Sequence, residues 1–294
     1  MANAREIKAR INSVTDTRKI TNAMYLIAST KTKKARKSLD ETRPYFDALR
    51  MEIKRIFRKA GDVESKYFYP PDGETPLNGT YGILVITADK GLAGAYNQNV
   101  IRETLRLLEE HPDSKLFVVG GYGRRYFTNH NIPIEKNFYH TAQNPTMERA
   151  RQISTTLLGQ FGVGKLEKIF VVYTDQRSGL LEEAVSTRLL PFHRKQFASN
   201  VQEKAVTTPF EFVPSCAVVL DNIMESYISG FIYSALVDSF CCEQSARMTA
   251  MNSANDNADN LLSELSLTYN HLRQSAITQE ITEVSAGARA QRNG

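Results

Sequence analysis

The chain has no tryptophan and only three cysteines among its 294 residues: Cys216, Cys241 and Cys242. An odd count argues for reduced thiols rather than a disulfide framework. The adjacent pair reads as small hydrophobic filler. No apolar run approaches the ~18 residues that a membrane-spanning helix needs. The opening MANAREIKARI has no apolar stretch behind its charges, so no secretory signal is expected. The five histidines (His111, His130, His140, His193, His271) are scattered. No H-E-x-x-H, C-x-x-C or Ser-His-Asp signature accompanies them, so no metal, cofactor or nucleophilic catalysis is expected.

Glycine and proline are missing from both ends. Residues 1–43 contain neither, and nothing from Phe231 to Ala286 is Gly or Pro. As one helix, that second stretch would run ~84 Å at ~1.5 Å per residue. Apolar spacing supports helices. Met251, Ala254, Ala258, Leu261, Leu265, Thr268 and Leu272 step by three and four, a heptad seam. Ile277, Ile281, Val284 and Ala288 form a further stripe. In the first stretch, Ile7, Ile11 and Val14 make one stripe; Ile20, Met24 and Ile27 make another, displaced by six. The net charge of +5 hides opposite ends. Residues 1–60 carry 16 Lys/Arg against 6 Asp/Glu, and residues 221–294 carry 4 against 9. Such ends favour an antiparallel coiled coil, although surface charge adds only modest stabilisation.

Between them, strand and helix signals alternate. Tyr81–Thr87, Leu116–Val119, Ile134–Tyr139 and Lys168–Tyr173 read as strands, and Thr208–Val213 as a closing one. Asn97–Glu110 and Met147–Phe161 read as helices. This order predicts a parallel, Rossmann-like sheet, with Tyr67–Gly79 as its linker. The expected fold is thus α/β, with a long antiparallel coiled coil of N- and C-terminal helices plus a Rossmann-like domain. The expected boundaries are 1–60 and 216–294 for the coiled-coil helices and 75–215 for the α/β domain.

Two glycine motifs invite a nucleotide and fail on detail. Gly159–Leu166 (GQFGVGKL) has phosphate-loop spacing but ends in Leu166 instead of Ser/Thr, and it follows a helix instead of opening one. Gly120–Tyr126 (GGYGRRY) has Tyr126 in place of the third glycine of a dinucleotide fingerprint. Lys31, Lys33, Lys34, Arg36 and Lys37 form a basic cluster without interleaved aromatics, which weakens a nucleic-acid reading. A nucleotide- or dinucleotide-binding α/β enzyme and a basic coiled-coil nucleic-acid adaptor stand as the alternative readings.

Three segments resemble the gamma subunit of F-type ATP synthases, and the resemblance spans essentially the whole chain. The most specific is ITQEITEVSAGARA, where Ile277, Thr278, Glu280, Glu283, Gly287 and Ala288 fit the family pattern. The opening REIKARINSVTDTRKITNAMYLIASTK is similar to the family's first helix. Asp89, Gly91, Leu92, Gly94 and Asn97 match its D-x-G-L-x-G turn. The sequence departs from the pattern at Asn22, Tyr25, Asn252 and the Cys241–Cys242 pair, which bears on individual ion pairs.

The resemblance implies a non-catalytic rotary shaft that couples ion-driven c-ring rotation to ATP synthesis on beta subunits. It implies partners: a ring of alpha and beta subunits around the paired helices, a c-ring beneath the α/β domain and an epsilon subunit beside it. One copy per complex would lie peripherally at the cytoplasmic face of a bacterial cell membrane, touching the membrane only through partners, with no nucleic acid and no cofactor. The implied beta-facing residues are Met24 on the first helix and Gln244, Arg247, Gln274, Thr278, Glu280 and Glu283 on the last. Lys33 would face acidic loops of beta, and Asp221 and Tyr227 would belong to the foot on the c-ring.

Overall fold

A computed structural model describes residues 4–59, 64–69, 79–176, 182–193, 197 and 211–292. The elements in chain order are α1 (Ala4–Lys59), β1 (Tyr81–Ile86), α2 (Tyr96–Glu110), β2 (Lys115–Val119), α3 (Gly121–Asn129), α4 (Met147–Gly162), β3 (Lys168–Gln176), β4 (Glu182–Leu190) and α5 (Cys216–Arg292). The chain packs as two compact units. One joins residues 1–29 to 247–294; the other comprises residues 30–246.

The first unit is a helix pair. On α1, Ile7, Ile11, Val14, Arg18, Thr21, Tyr25 and Ala28 step by three and four along one stripe. Ile7 and Ala28 are buried, and the others except Arg18 are half-buried. The expected second stripe needs correcting here. Ile20 and Ile27 are 62% and 55% exposed, and only Met24 is half-buried. A jump of six residues turns ~240° around a helix and leaves the seam, whereas the heptad phase carries on through polar Arg18 and Thr21. On α5, Met251 is buried and Ala254, Ala258, Leu261, Leu265 and Leu272 are half-buried; Thr268 is exposed. The pairing is antiparallel. The Thr21 hydroxyl donates to Asn255 Oδ1, and Arg18 Nε meets Asp259 Oδ1 at 2.8 Å.

The second unit is built on a four-stranded sheet of order β2-β1-β3-β4. β1 pairs in parallel with β2 and β3, while β4 runs antiparallel to β3. The sheet is therefore mixed, where the sequence reading expected parallel strands. β4 was missed because Glu182-Glu183-Ala184-Val185-Ser186-Thr187-Arg188 has no apolar run. Ile134–Tyr139 is not a strand: isolated bridges join Ile134 to Leu116 and His140 to Val119. Of the expected closing strand, residues 208–210 lie outside the described residues and 211–213 are not strand. Of the expected linker, residues 70–78 also lie outside them. Tyr67–Tyr69 are buried, with backbone hydrogen bonds to Phe192.

Alternation along the strands feeds two cores. Leu84, Ile86, Phe117, Val119 and Val171 join α4, α5 and the Ile53/Ile56 end of α1. Ile83, Val85, Leu116, Val118 and Val172 join α2 and Phe127 of α3. Cys241 lies in the first core and Cys242 in the second, each as hydrophobic filling. Burial also raises the Cys241 thiol above its ordinary pKa. α1 continues through Pro44, an interior helix breaker by propensity. Phe46, Leu49, Ile53 and Ile56 hold the three-and-four spacing beyond it, and packing outweighs the lost hydrogen bond. Phe46 sits against Gly230 of α5 so closely that a Cβ there would lie 2.0 Å from the ring.

Candidate functional site

The sequence reading named ten contact residues, and they differ sharply in exposure. Gln274, Thr278, Glu280 and Glu283 lie on the last turns of α5 and are all exposed. Every described residue from Arg273 to Gln291 is exposed. Ile277, Ile281 and Val284 among them are 46%, 61% and 72% exposed. The reason is visible in the pairing. Thr21–Asn255 and Arg18–Asp259 set a register in which α1 has begun by the level of Leu272, the last half-buried position. Beyond it no described residue of α1 lies beside α5. Two local bonds support the segment: Gln279 donates to Glu283 at 2.9 Å, and the Thr282 hydroxyl donates to the Thr278 carbonyl at 2.7 Å. Glu280, Glu283 and Gly287 share one face, and Ile277, Ile281, Val284 and Ala288 another.

Met24 is half-buried on the flank of the α1 stripe, and Arg247 on α5 is 8% exposed. In the second unit, Lys33 is exposed and Gln244 is 2% exposed. The Gln244 Nε2 has no hydrogen-bond partner among the described residues. Asp221 accepts a hydrogen bond from the Ser65 hydroxyl at 2.7 Å. The Tyr227 ring stacks edge-on against Phe192 and Phe197, with centroids 5.9 and 5.5 Å away. Burial raises its hydroxyl pKa, so it stays neutral. Sequence reasoning missed Arg18, Thr21, Asn255 and Asp259 as the polar layer of the helix pair. The signal was the heptad phase of α1, which holds only if polar residues are admitted to the seam.

The glycine motifs carry structure instead of ligand chemistry. Asp89 Oδ1 accepts from the Gly121 N–H at 2.9 Å, and Oδ2 accepts from the Gln143 N–H at 3.2 Å and from the Thr141 hydroxyl. The start of α3, where a phosphate would sit in a dinucleotide fold, is therefore filled by the chain's own carboxylate. Asn97 Oδ1 accepts from the Ala88 N–H at 2.9 Å, closing the turn around Leu92 and Gly94, which take φ of 63° and 52°. Gly120 has φ 95°, and a Cβ there would lie 2.2 Å from the Thr87 carbonyl oxygen. The other motif ends α4: the Lys165 N–H donates to the Gln160 carbonyl at 3.0 Å, a helix C-terminus with no free N–H groups to offer a phosphate. No group of His, Cys, Asp and Glu suited to a metal occurs among the described residues.

Comparison with known proteins gives one consistent result. A family model described as ATP synthase matches residues 3–290. The chain is 39% identical over 295 residues to the ATP synthase gamma chain of Acetivibrio thermocellus, covering 99% of each. It is 32% identical over 294 residues to that of Burkholderia ambifaria, covering 99% of this chain and all of the relative. Its fold is similar to a chain in the central stalk/c-ring structure of Tetrahymena thermophila mitochondrial ATP synthase, with TM-score 0.57 and 24% identity, over 80% of this chain and 99% of that one. It is also similar to a chain of the Euglena gracilis mitochondrial ATP synthase rotor, with TM-score 0.60 and 16% identity, over 93% and 98%.

Proposed function

The chain belongs to the ATP synthase gamma chain family, the non-catalytic central-stalk subunit, and from that footing we propose that the bare end of α5 is where the shaft meets its catalytic neighbours. The observation that carries this reading is the run from Arg273 to Gln291, exposed on every face while presenting Ile277, Ile281 and Val284. A helix with uncovered apolar and polar faces is suited to a surrounding collar. Gln274, Thr278, Glu280 and Glu283 offer hydrogen bonds to loops of beta subunits as they change state. The apolar face turns against the collar without a fixed bonding pattern. Weak, non-directional contacts suit a rotor, because a strong bond at one angle would hold it there.

In this reading, one copy stands in a ring of alpha and beta subunits, with Met24 and Arg247 further down the same stem. Lys33 faces acidic loops of beta. Asp221 and Tyr227 belong to the foot on the c-ring, and an epsilon subunit lies beside the α/β unit. Ion flow turns the ring and shaft, and the shaft drives ATP synthesis on beta; ATP hydrolysis reverses the motion. The complex is membrane-bound, at the cytoplasmic face of a bacterial cell membrane, and this chain reaches the membrane only through partners. No helix among the described residues is long and apolar enough to cross it.

Deleting residues 280–294 tests the proposal. In the complex assembled with alpha and beta subunits, ion pumping per ATP hydrolysed should fall. The thermal midpoint of the α/β unit should stay unchanged. Full coupling in the truncated complex would remove the end of α5 from the mechanism.

A further inference from the structure

The second unit contains a cleft of about 440 Å³ where α4 and α5 part, bordered by Tyr45 of α1 and by Lys66 and Tyr67. Its floor is a hydroxyl pair, Ser154 Oγ and Ser229 Oγ, 2.7 Å apart and both buried. These two also bond back to the Arg151 and Glu225 carbonyls, so their hydrogen-bonding capacity is largely used. The rim differs. Lys66 and Arg151 both line the cleft, and neither enters an ion pair among the described residues. Thr155 and Ser226 line it too. Threonines inside helices of this chain habitually donate to the carbonyl four residues back, as Thr15, Thr17, Thr42, Thr156, Thr268 and Thr282 do. Thr155 and Ser226 make no such bond among the described residues, so their hydroxyls remain for the cleft. One opposing charge is present: Glu225 Oε1 accepts the Tyr67 hydroxyl at 3.2 Å.

Lys66 Nζ lies 4.9 Å from the centroid of the Tyr67 ring, a contact that leaves its N–H groups able to donate to an anion. Two cationic side chains outside any ion pair and two hydroxyls, set over a concave surface, match an oxyanion with several acceptor oxygens. We propose that this cleft is a phosphoanion site, taking a phosphate monoester or diester whose oxygens are shared by Lys66, Arg151, Thr155 and Ser226. Glu225 limits the net positive charge to one, which favours an anion of low charge over a polyphosphate. The size of the cleft leaves room for an organic group beside Tyr45, which is 53% exposed. The site is independent of the shaft reading, since it uses none of the residues named for partner contact.

The full chain can be titrated with inorganic phosphate by ³¹P line broadening, and with phosphatidylglycerol vesicles by sedimentation, at constant ionic strength. Arg151→Gln with Lys66→Gln should weaken binding by about tenfold or more. Lys165→Gln, at an exposed position outside the cleft, should leave it unchanged. Binding of free phosphate lost in the double variant identifies a soluble phosphoanion. Binding of vesicles alone, lost in the same variant, identifies a lipid headgroup. Absence of saturable binding in both arms, or equal loss in the Lys165 variant, overturns the proposal.

Discussion

The two units of this chain solve the burial problem in opposite ways. Residues 30–246 bury large side chains completely, on both faces of a sheet, with Phe117, Ile83, Leu84 and Ile169 fully enclosed. The helix pair of residues 1–29 and 247–294 buries little beyond Ile7, Ala28 and Met251, and most seam positions are only half-covered. In the first case stability comes from dense packing, where each atom matters. In the second it comes from a narrow seam that includes Arg18 and Thr21, and from helices that keep much apolar surface available. An under-buried pair suits a part whose remaining contacts come from other subunits.

Substitutions can break or sharpen that contrast. The largest effect should follow Gly120→Ala, because the new Cβ meets the Thr87 carbonyl and the backbone is left-handed at φ 95°. A loss of roughly 3–5 kcal/mol in urea unfolding is expected, confined to the α/β unit. A mild effect would mean that this turn yields more readily than its packing implies. Ile7→Ala should cost about 2 kcal/mol, at the low end for a core deletion because the seam is narrow. It should loosen the helix pair in hydrogen exchange and spare the sheet.

Asp238 gives the α/β unit a pH signature. Burial, followed by repulsion from Asp175, raises its carboxyl pKa from 3.8 to about 6, against the pull of Arg43 and Arg36. Between about pH 4 and 6 the folded chain holds a proton that the unfolded chain has released, so this group's contribution makes stability fall as pH rises. Asp238→Asn should flatten that slope and stabilise the unit at pH 7 by on the order of 1 kcal/mol. A slope that persists in the variant would assign it to another group. The smallest effect belongs to the helix pair. A double-mutant cycle on Arg18 and Asp259, both about half-exposed, should return less than ~1 kcal/mol, shrinking in high salt. A larger coupling would mean that the polar layer is better sheltered than its exposure indicates.

The helices were readable because periodicity and the absence of Gly and Pro are local signals. Phe231–Ala286 announced α5, and YGILVIT announced β1 by its apolar run. β4 was not readable, because Ser186, Thr187 and Arg188 stand half-buried in its middle, on both faces, in place of an apolar alternation. Ile134–Tyr139 misled because an apolar stretch can pack at a sheet's edge through single bridges without forming a ladder. Among the proposed contact residues, composition could not separate Gln244, enclosed at 2% exposure, from Gln274, which is exposed. The same amide on the same helix differs only in what lies beside it.

The sequence by itself determined the two long helices, the α/β alternation between them and, through ITQEITEVSAGARA, the family. Helix propensity, heptad spacing and a family pattern are properties of neighbouring residues, and they need no knowledge of the rest of the chain. Tertiary structure decided the phase of the α1 seam, the reversed direction of β4, the filling of the α3 start by Asp89 and the point near Leu272 where the described part of the helix pair ends. Each of those depends on which distant residues come to lie in contact, and burial against a distant segment is an energy that no local pattern encodes.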